Sequence, residues 1–390
     1  MPAQDQLTSD RAALESELIE TRRTLHRQPE LSFAEYRTAE LVAGRLRALG
    51  LEPRTGVGGT GVVADVDGGR PGPTVLIRAD MDALPLDEID GRPYGSEVPG
   101  RMHACGHDAH TSALLGAASL LVPRADSLAG RVRLLFQPAE EIGAGALAMI
   151  DDGVLDGVDE AIAAHVFSPI PFGLVATRPG EMLVGADMFE LAVEGGGGHS
   201  GISQETRDAV FAAAQLVSSL QLIAARETLP TETLVLTIAS IEGGKAANVV
   251  ASRVTLRGTI RWLDEAVRER TLKRIEEIAA GVCAALRVSH TLRISATMPV
   301  LRCDEAPTDL LRGAAAAAGA TVIDPGLVTA SEDFAYFAER VPAGFSAVGA
   351  GGAGCGAHHA PDFDIDERAI GMTAEILARA AIARLGGEPA

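Results

Sequence analysis

The sequence predicts an α/β protein, a helix-flanked mixed sheet, carrying an inserted α+β domain. Three observations predict it. Short β-rich runs alternate with Ala/Leu-rich helical stretches up to about residue 185, the order becomes β-α-β-β-α-β over residues 186–298, and the first texture resumes after Ala306.

From residue 10 to residue 49 apolar side chains recur at helical spacing, interrupted around Pro29, which predicts two amphipathic helices ending at Gly50. Strands are predicted at 61–66, 74–79, 131–136 and 161–166, with a helix at 111–121. The insert reads as strand ADMFELAVE, a helix at 206–225, strands TLVLTIASI and SRVTLRGTIR, a helix at 264–286 and strand HTLRISAT. That is the ferredoxin-like order in a self-contained stretch of normal domain size. The expected division is therefore a discontinuous domain, 1–185 with 299–390, around an inserted domain at 186–298. Five consecutive alanines at 314–318 read as helix.

Bulk composition excludes several function classes. With 34 basic and 53 acidic residues the net charge is −19, a field that repels phosphate backbones and anionic headgroups, so no nucleic-acid partner is expected. Hydrophobic residues make up 47%, enough for a large core. The cysteines Cys105, Cys283, Cys303 and Cys355 form no close-spaced framework, which suits a reducing compartment. The polar, acidic opening MPAQDQLTSDRAALESE lacks the pattern of a signal segment, and a cytoplasmic location is expected. The apolar stretch at 113–122 is half of the ~20 residues a membrane span needs, so no membrane association is expected.

The segment MHACGHDAH, 102–110, packs three histidines, a cysteine and an aspartate into nine positions. Cys105 and His107, two apart around the flexible Gly106, are able to face one cation; the plain alternative is a small buried thiol beside satisfied imidazoles. After the strand RVRLLF, Pro138 ends the run and Glu140 and Glu141 stand side by side at a strand's carboxyl end. One carboxylate of such a pair ligates metal while its neighbour acts as a base toward water; alone, the pair reads as two solvated glutamates. His165 closes the apolar run AIAAHV, and His358 and His359 precede the turn-forming Pro361. In RADMDALPL, Asp80 and Asp82 follow a strand, where an aspartate either orients a ligating histidine or caps a loop. His199 follows four glycines and reads either as a mobile oxyanion donor or as an exposed loop residue, and Asn248 as a carboxylate binder or a turn residue. GVGGTG at 56–61 matches G-x-G-x-x-G but leads into a strand, against a dinucleotide loop, and no G-x-S-x-G elbow is present.

Taken in order, RRTLHRQPELSFAEYRTA, RADMDALP, MHACGHDAH, FQPAEE, AAHV, GGHS, ANVV, RGTIR, SEDFAYF and HHAPDFDIDE resemble the M20 family of metallopeptidases and amidohydrolases. The resemblance covers nearly the whole chain and is strongest to the branch of aminoacylases, hippurate hydrolases and auxin-conjugate hydrolases. It implies a zinc-peptidase-like catalytic domain with an inserted lid or dimerisation domain. It implies further that Cys105, His107, Glu141, His165 and His359 ligate one or two divalent metals, Zn2+ or Mn2+, and that Glu140 is the general base. His359 is preferred to His358 because the family's ligand stands two positions before the proline. Asp80 is placed with the catalytic residues, His199 with the oxyanion, and Asn248 and Arg261 with the substrate's carboxylate. Arg78 stands where other members have a metal-binding histidine and Cys105 where they have a bridging aspartate. Ser200-Gly201 and Ala330 also depart from common family residues. The expected activity is hydrolysis of N-acyl amino acids, by a homodimer or higher homo-oligomer. A dipeptidase or aminopeptidase on the same site is the alternative, and a non-catalytic binding protein a third reading.

Overall fold

The computed structural model describes residues 6–89 and 91–386. In chain order the first elements are α1 (Gln6–Arg27), α2 (Tyr36–Ala48), β1 (Arg54–Val57), β2 (Gly61–Asp67), β3 (Arg70–Asp80), α3 (His107–Leu121), β4 (Ala129–Gln137), α4 (Gly145–Asp151), β5 (Glu160–Pro171), β6 (Leu174–Ala176) and β7 (Gly180–Leu183). The glycine-rich segment at 56–61 is the tight connection of the antiparallel β1 and β2. There follow β8 (Gly185–Glu194), β9 (Gly198–His199), α5 (Ala209–Leu222), β10 (Leu234–Gly243), β11 (Val249–Val250), β12 (Arg253–Trp262), α6 (Glu265–Leu286) and β13 (Ser289–Met298). The chain closes with β14 (Leu301–Cys303), α7 (Glu305–Ala317), β15 (Thr321–Ile323), α8 (Ala335–Ala338), β16 (Ala343–Gly351) and α9 (Arg368–Arg384).

The chain divides into two compact units. Unit 1 comprises the chain up to Met182, Leu301–Val328 and the chain from Glu332 onward; unit 2 comprises Leu183–Val300 and Thr329–Ser331. The last three residues fall in a stretch that the sequence segmentation gives to the outer domain. Backbone bonding explains the difference, since Val184 N–H donates to the Ala330 carbonyl and Arg261 donates to Thr329 and Ser331.

Unit 1 is built on an eight-stranded mixed sheet in the order β1-β2-β4-β3-β5-β16-β6-β15. β4, β3, β5 and β16 run parallel, so their carboxyl ends share one edge of the sheet. Most of their central residues are apolar and buried, as expected of parallel strands covered on both faces, with Arg133 and Ser346 among the buried polar exceptions. α3 and α9 are buried along almost their whole length and pack on each other and on α1. α3 begins four residues before the apolar run that predicts it. Gly106, at φ +95°, turns the chain directly into the helix and so brings His107 and His110 onto its first turn, three apart on one face.

Unit 2 is a four-stranded antiparallel sheet, β10-β12-β8-β13, with α5 and α6 packed on it. Strand order and connectivity together are ferredoxin-like. Asp208 and Asp264 cap the two helices through their side chains. The helix over Ala209–Glu227 is long and apolar enough by length and composition to cross a membrane, which the 113–122 stretch is not. Its residues Ala209, Ala212, Ala213, Leu216, Leu220 and Ile223 are buried in the core of unit 2.

Candidate metal centre

The ends of β3 and β4, the middle of β5, the first turn of α3 and two loops of unit 1 bring together Asp80, Cys105, His107, Glu140, Glu141, His165 and His359; β5 runs on past His165 to Pro171, so this histidine does not stand at a strand terminus. β4 stops at Gln137 because Pro138 offers no N–H, and the chain turns sharply through Ala139, at φ +52°. The turn is tied down by Asp82, whose carboxylate oxygens accept the N–H groups of Glu140 and Glu141, both at 3.1 Å. Ser32 donates to the same carboxylate at 2.7 Å.

Asp82 also orients His107. The imidazole Nδ1–H donates to the Asp82 backbone oxygen at 2.9 Å, with Asp82 Oδ1 at 3.2 Å, leaving Nε2 as the bare nitrogen. That Nε2 is buried without a hydrogen-bond partner, 3.8 Å from Glu140 Oε2 and 3.9 Å from Glu141 Oε1, itself buried and unbonded. His165 repeats the pattern: Nδ1–H donates to the Val166 carbonyl at 2.6 Å, and Nε2 lies 3.5 Å from Cys105 Sγ. Asp80 has a different task from Asp82. Its two oxygens are held by His110 Nδ1 and Arg78 Nη1, each at 2.6 Å, so it holds neighbours in place and is not free to move a proton.

The two adjacent histidines of the last loop separate cleanly. His358 Nε2 accepts the Ser168 N–H at 3.1 Å and its Nδ1 faces Cys105 Sγ at 3.8 Å, so both nitrogens are engaged. His359, at φ +62°, places Nε2 3.6 Å from Glu141 Oε2. Its backbone N–H donates to the Ala104 carbonyl at 2.8 Å, fixing the loop beside Cys105.

Beneath the glutamates lies a nest with no role in the sequence reading. Arg78 donates to Asp80, to Gln137 Oε1 at 2.9 Å, and to Glu332 and Asp333 at 2.8 Å each. Glu140, Glu332 and Asp333 offer carboxylate oxygens within 4.8 Å of one another. Gln137, Glu332, Asp333 and His110 are given no role by the sequence alone; the signals it offered were the third histidine of MHACGHDAH and the acidic pair of SEDF.

Electrostatics here favour an added cation. Burial, reinforced by the charges of Glu332, Glu141 and Asp333, pushes Glu140 well above the usual carboxylate range. Burial raises Glu141 to about 7 against the pull of His107, and Asp333 to about 7 against Arg78. Burial opposes ionisation of Asp80 too, but His107, His110 and Arg78 outweigh it and hold the group well below its ordinary value. Carboxylates so crowded carry more negative charge than the side-chain cations beside them satisfy. A divalent ion fits that imbalance, the bare Nε2 of His107 and the thiol–imidazole–carboxylate donor set.

Unit 2 holds the other three expected residues. His199 and Asn248 adjoin in a small ribbon, where Val249 pairs with His199 and Ser200 N–H donates to the Asn248 carbonyl at 3.3 Å. His199 Nδ1 accepts the Gly201 N–H at 3.0 Å. Arg261, on β12, donates to Thr329 O at 3.0 Å and Ser331 Oγ at 2.7 Å, which makes it first a tether for that segment.

Residues 76–383 match Peptidase family M20/M25/M40. The chain is 42% identical over 361 residues to the N-acetyl-L-cysteine deacetylase of Bacillus subtilis (strain 168), covering 92% of this chain and 86% of that one. It is 37% identical over 377 residues to thermostable carboxypeptidase 2 of Saccharolobus solfataricus, covering 95% and 96% respectively. A solved Bacillus subtilis structure, described as a dinuclear metal binding peptidase of the M20 family, superposes with a TM-score of 0.80 at 32% identity, covering 97% of this chain and 100% of that one. On family match, identity and coverage alike, the chain belongs to Peptidase family M20/M25/M40 and is a hydrolase of amide bonds.

Proposed function

We infer that the chain is a metal-dependent amidohydrolase releasing the amino acid from N-acyl amino acids. The carrying observation is the bare, buried Nε2 of His107 between Glu140 and Glu141. Cys105, His107, Glu141, His165 and His359 are assigned to divalent ions, Zn2+ or Mn2+; two is the number named for the solved Bacillus subtilis relative. When bound, such ions polarise the scissile carbonyl and lower the pKa of water. Glu140 takes the proton of the attacking water and delivers it to the leaving amine; its carboxylate lies 3.8 Å from His107 Nε2, and burial beside Glu332 and Glu141 raises its proton affinity.

His199 is assigned to the oxyanion. Its Nδ1 accepts a backbone N–H, so the ring proton sits on Nε2 as an outward donor. Asn248 and Arg261 are assigned to the substrate's carboxylate. A second copy of the chain is the expected partner: β10 is an edge strand bearing exposed Val235 and Ile241, with exposed Phe211 on α5 of the same unit. Peptide hydrolysis at the same site is the second reading, favoured by the likeness to the carboxypeptidase.

The test is amino-acid release from N-acetyl, N-benzoyl and long-chain N-acyl amino acids and from matching dipeptides, after chelation and after return of manganese or zinc. Release should vanish with the metal and return with one ion. Glu140→Gln should keep its metal while kcat falls by about 10²–10⁴, and His107→Ala should lose metal. Release indifferent to complete metal removal would overturn the mechanism.

A further inference from the structure

His110 is the most tightly held ring of the centre. Its Nδ1 lies 2.6 Å from Asp80 Oδ1, and its Nε2 accepts the Val166 N–H at 2.8 Å. A nitrogen that accepts a backbone N–H carries no proton, so the ring proton is on Nδ1 and Asp80 receives it. Both nitrogens are therefore used, and His110 is not itself a ligand, although its atoms lie near those of Asp80 and His107.

Val166 joins His110 to His165. Its N–H goes to His110, its carbonyl accepts the His165 Nδ1–H, and the two rings pack edge to face with centroids 4.2 Å apart and planes at 66°. The peptide groups on either side of Val166 are thus each pinned by one imidazole. A ligand that turned about its χ angles would carry Nε2 away from Cys105 Sγ, and here the backbone acceptor that prevents the turn is itself fixed by His110.

Resting on the assignment of His165 as an ion ligand, we propose that His110 is a positioning residue: the relay Asp80, His110, Val166 and His165 sets the rotation of His165 and so the affinity of the ion it holds. Glutamine at 110 is able to keep an acceptor for the Val166 N–H, whereas asparagine reaches only Asp80 and phenylalanine keeps the ring contact without either hydrogen bond.

The experiment is competition between apoprotein and a chromophoric chelator for Zn2+, with the Co2+ absorption spectrum and apoprotein unfolding recorded alongside. His110→Asn and His110→Phe should weaken the affinity by about 10- to 100-fold and alter the Co2+ bands, while His110→Gln stays within about threefold of wild type. His165→Ala should lose at least as much as either. If His110→Phe does not fold, His110→Asn decides. Wild-type affinity in His110→Asn beside a weakened His165→Ala overturns the relay alone. Wild-type affinity in His165→Ala overturns the ligand assignment beneath it. A drop in apoprotein stability with unchanged affinity reduces His110 to a packing residue and also overturns the proposal.

Discussion

Gly106 stands between Cys105 and His107, and its backbone angle decides where both point. At φ +95° it occupies the left-handed region that side chains avoid, and a Cβ there would lie 2.5 Å from Val166 Cγ2. The strain and the displaced Val166 act on the same centre, since Val166 anchors His110 and His165. Gly106→Ala is therefore expected to cost about 1–3 kcal/mol of stability and to weaken metal binding, read by denaturant unfolding and by chelator competition. A variant with wild-type metal affinity would show that the turn tolerates a side chain and that the ligand positions do not depend on it.

At the scale of elements, α1 and α3 are joined by a buried charge network. Arg22 donates to Asp108 at 2.8 Å, and His26 lies 2.7 Å from Asp108 and 3.3 Å from Glu88. Burial disfavours the His26 imidazolium, but Asp108 and Glu88 more than compensate and raise its pKa above the ordinary value. A raised histidine stabilises fully below its unfolded value of about 6.5 and loses that contribution as pH climbs through the folded value. The stability advantage of wild type over His26→Gln should accordingly be larger at about pH 6 than at about pH 9 in urea unfolding; an advantage that grows with pH would contradict the charged state. The edge of the other sheet makes a second expectation. Ile241 is 60% exposed on β10, whose only sheet neighbour among the described residues is β12. If two copies pair along this edge, wild type should scatter light as a dimer and Ile241→Lys as a monomer, with the fold kept. A wild-type monomer would remove this edge as an interface.

For the molecule as a whole, the parallel frame was legible because strands covered on both faces read as continuous apolar runs, and β3, β4 and β5 contain those at 74–79, 131–136 and 161–166. The gathering of Cys105, His107, Glu141 and His359 was foreshadowed by the density of ligand residue types. The Arg78 nest was not, because the contact with Asp333 closes over 255 residues and no local spacing marks it. His110 was hidden by a helix start that sequence places four residues late, for want of a polar cap. The two units bury separate sets of core residues, with the ligand cluster wholly in unit 1. An ion that binds only the folded state adds about 3–4 kcal/mol when its concentration exceeds Kd by about 100- to 1,000-fold, and that stabilisation belongs to the unit that holds it. Chelation should therefore speed amide hydrogen exchange in unit 1, most around residues 104–110, 137–141 and 165–168, and leave the amides of β8, β10, β12 and β13 unchanged. Equal acceleration in both units would mean that they unfold together, and no change in either would mean that the cluster holds no ion.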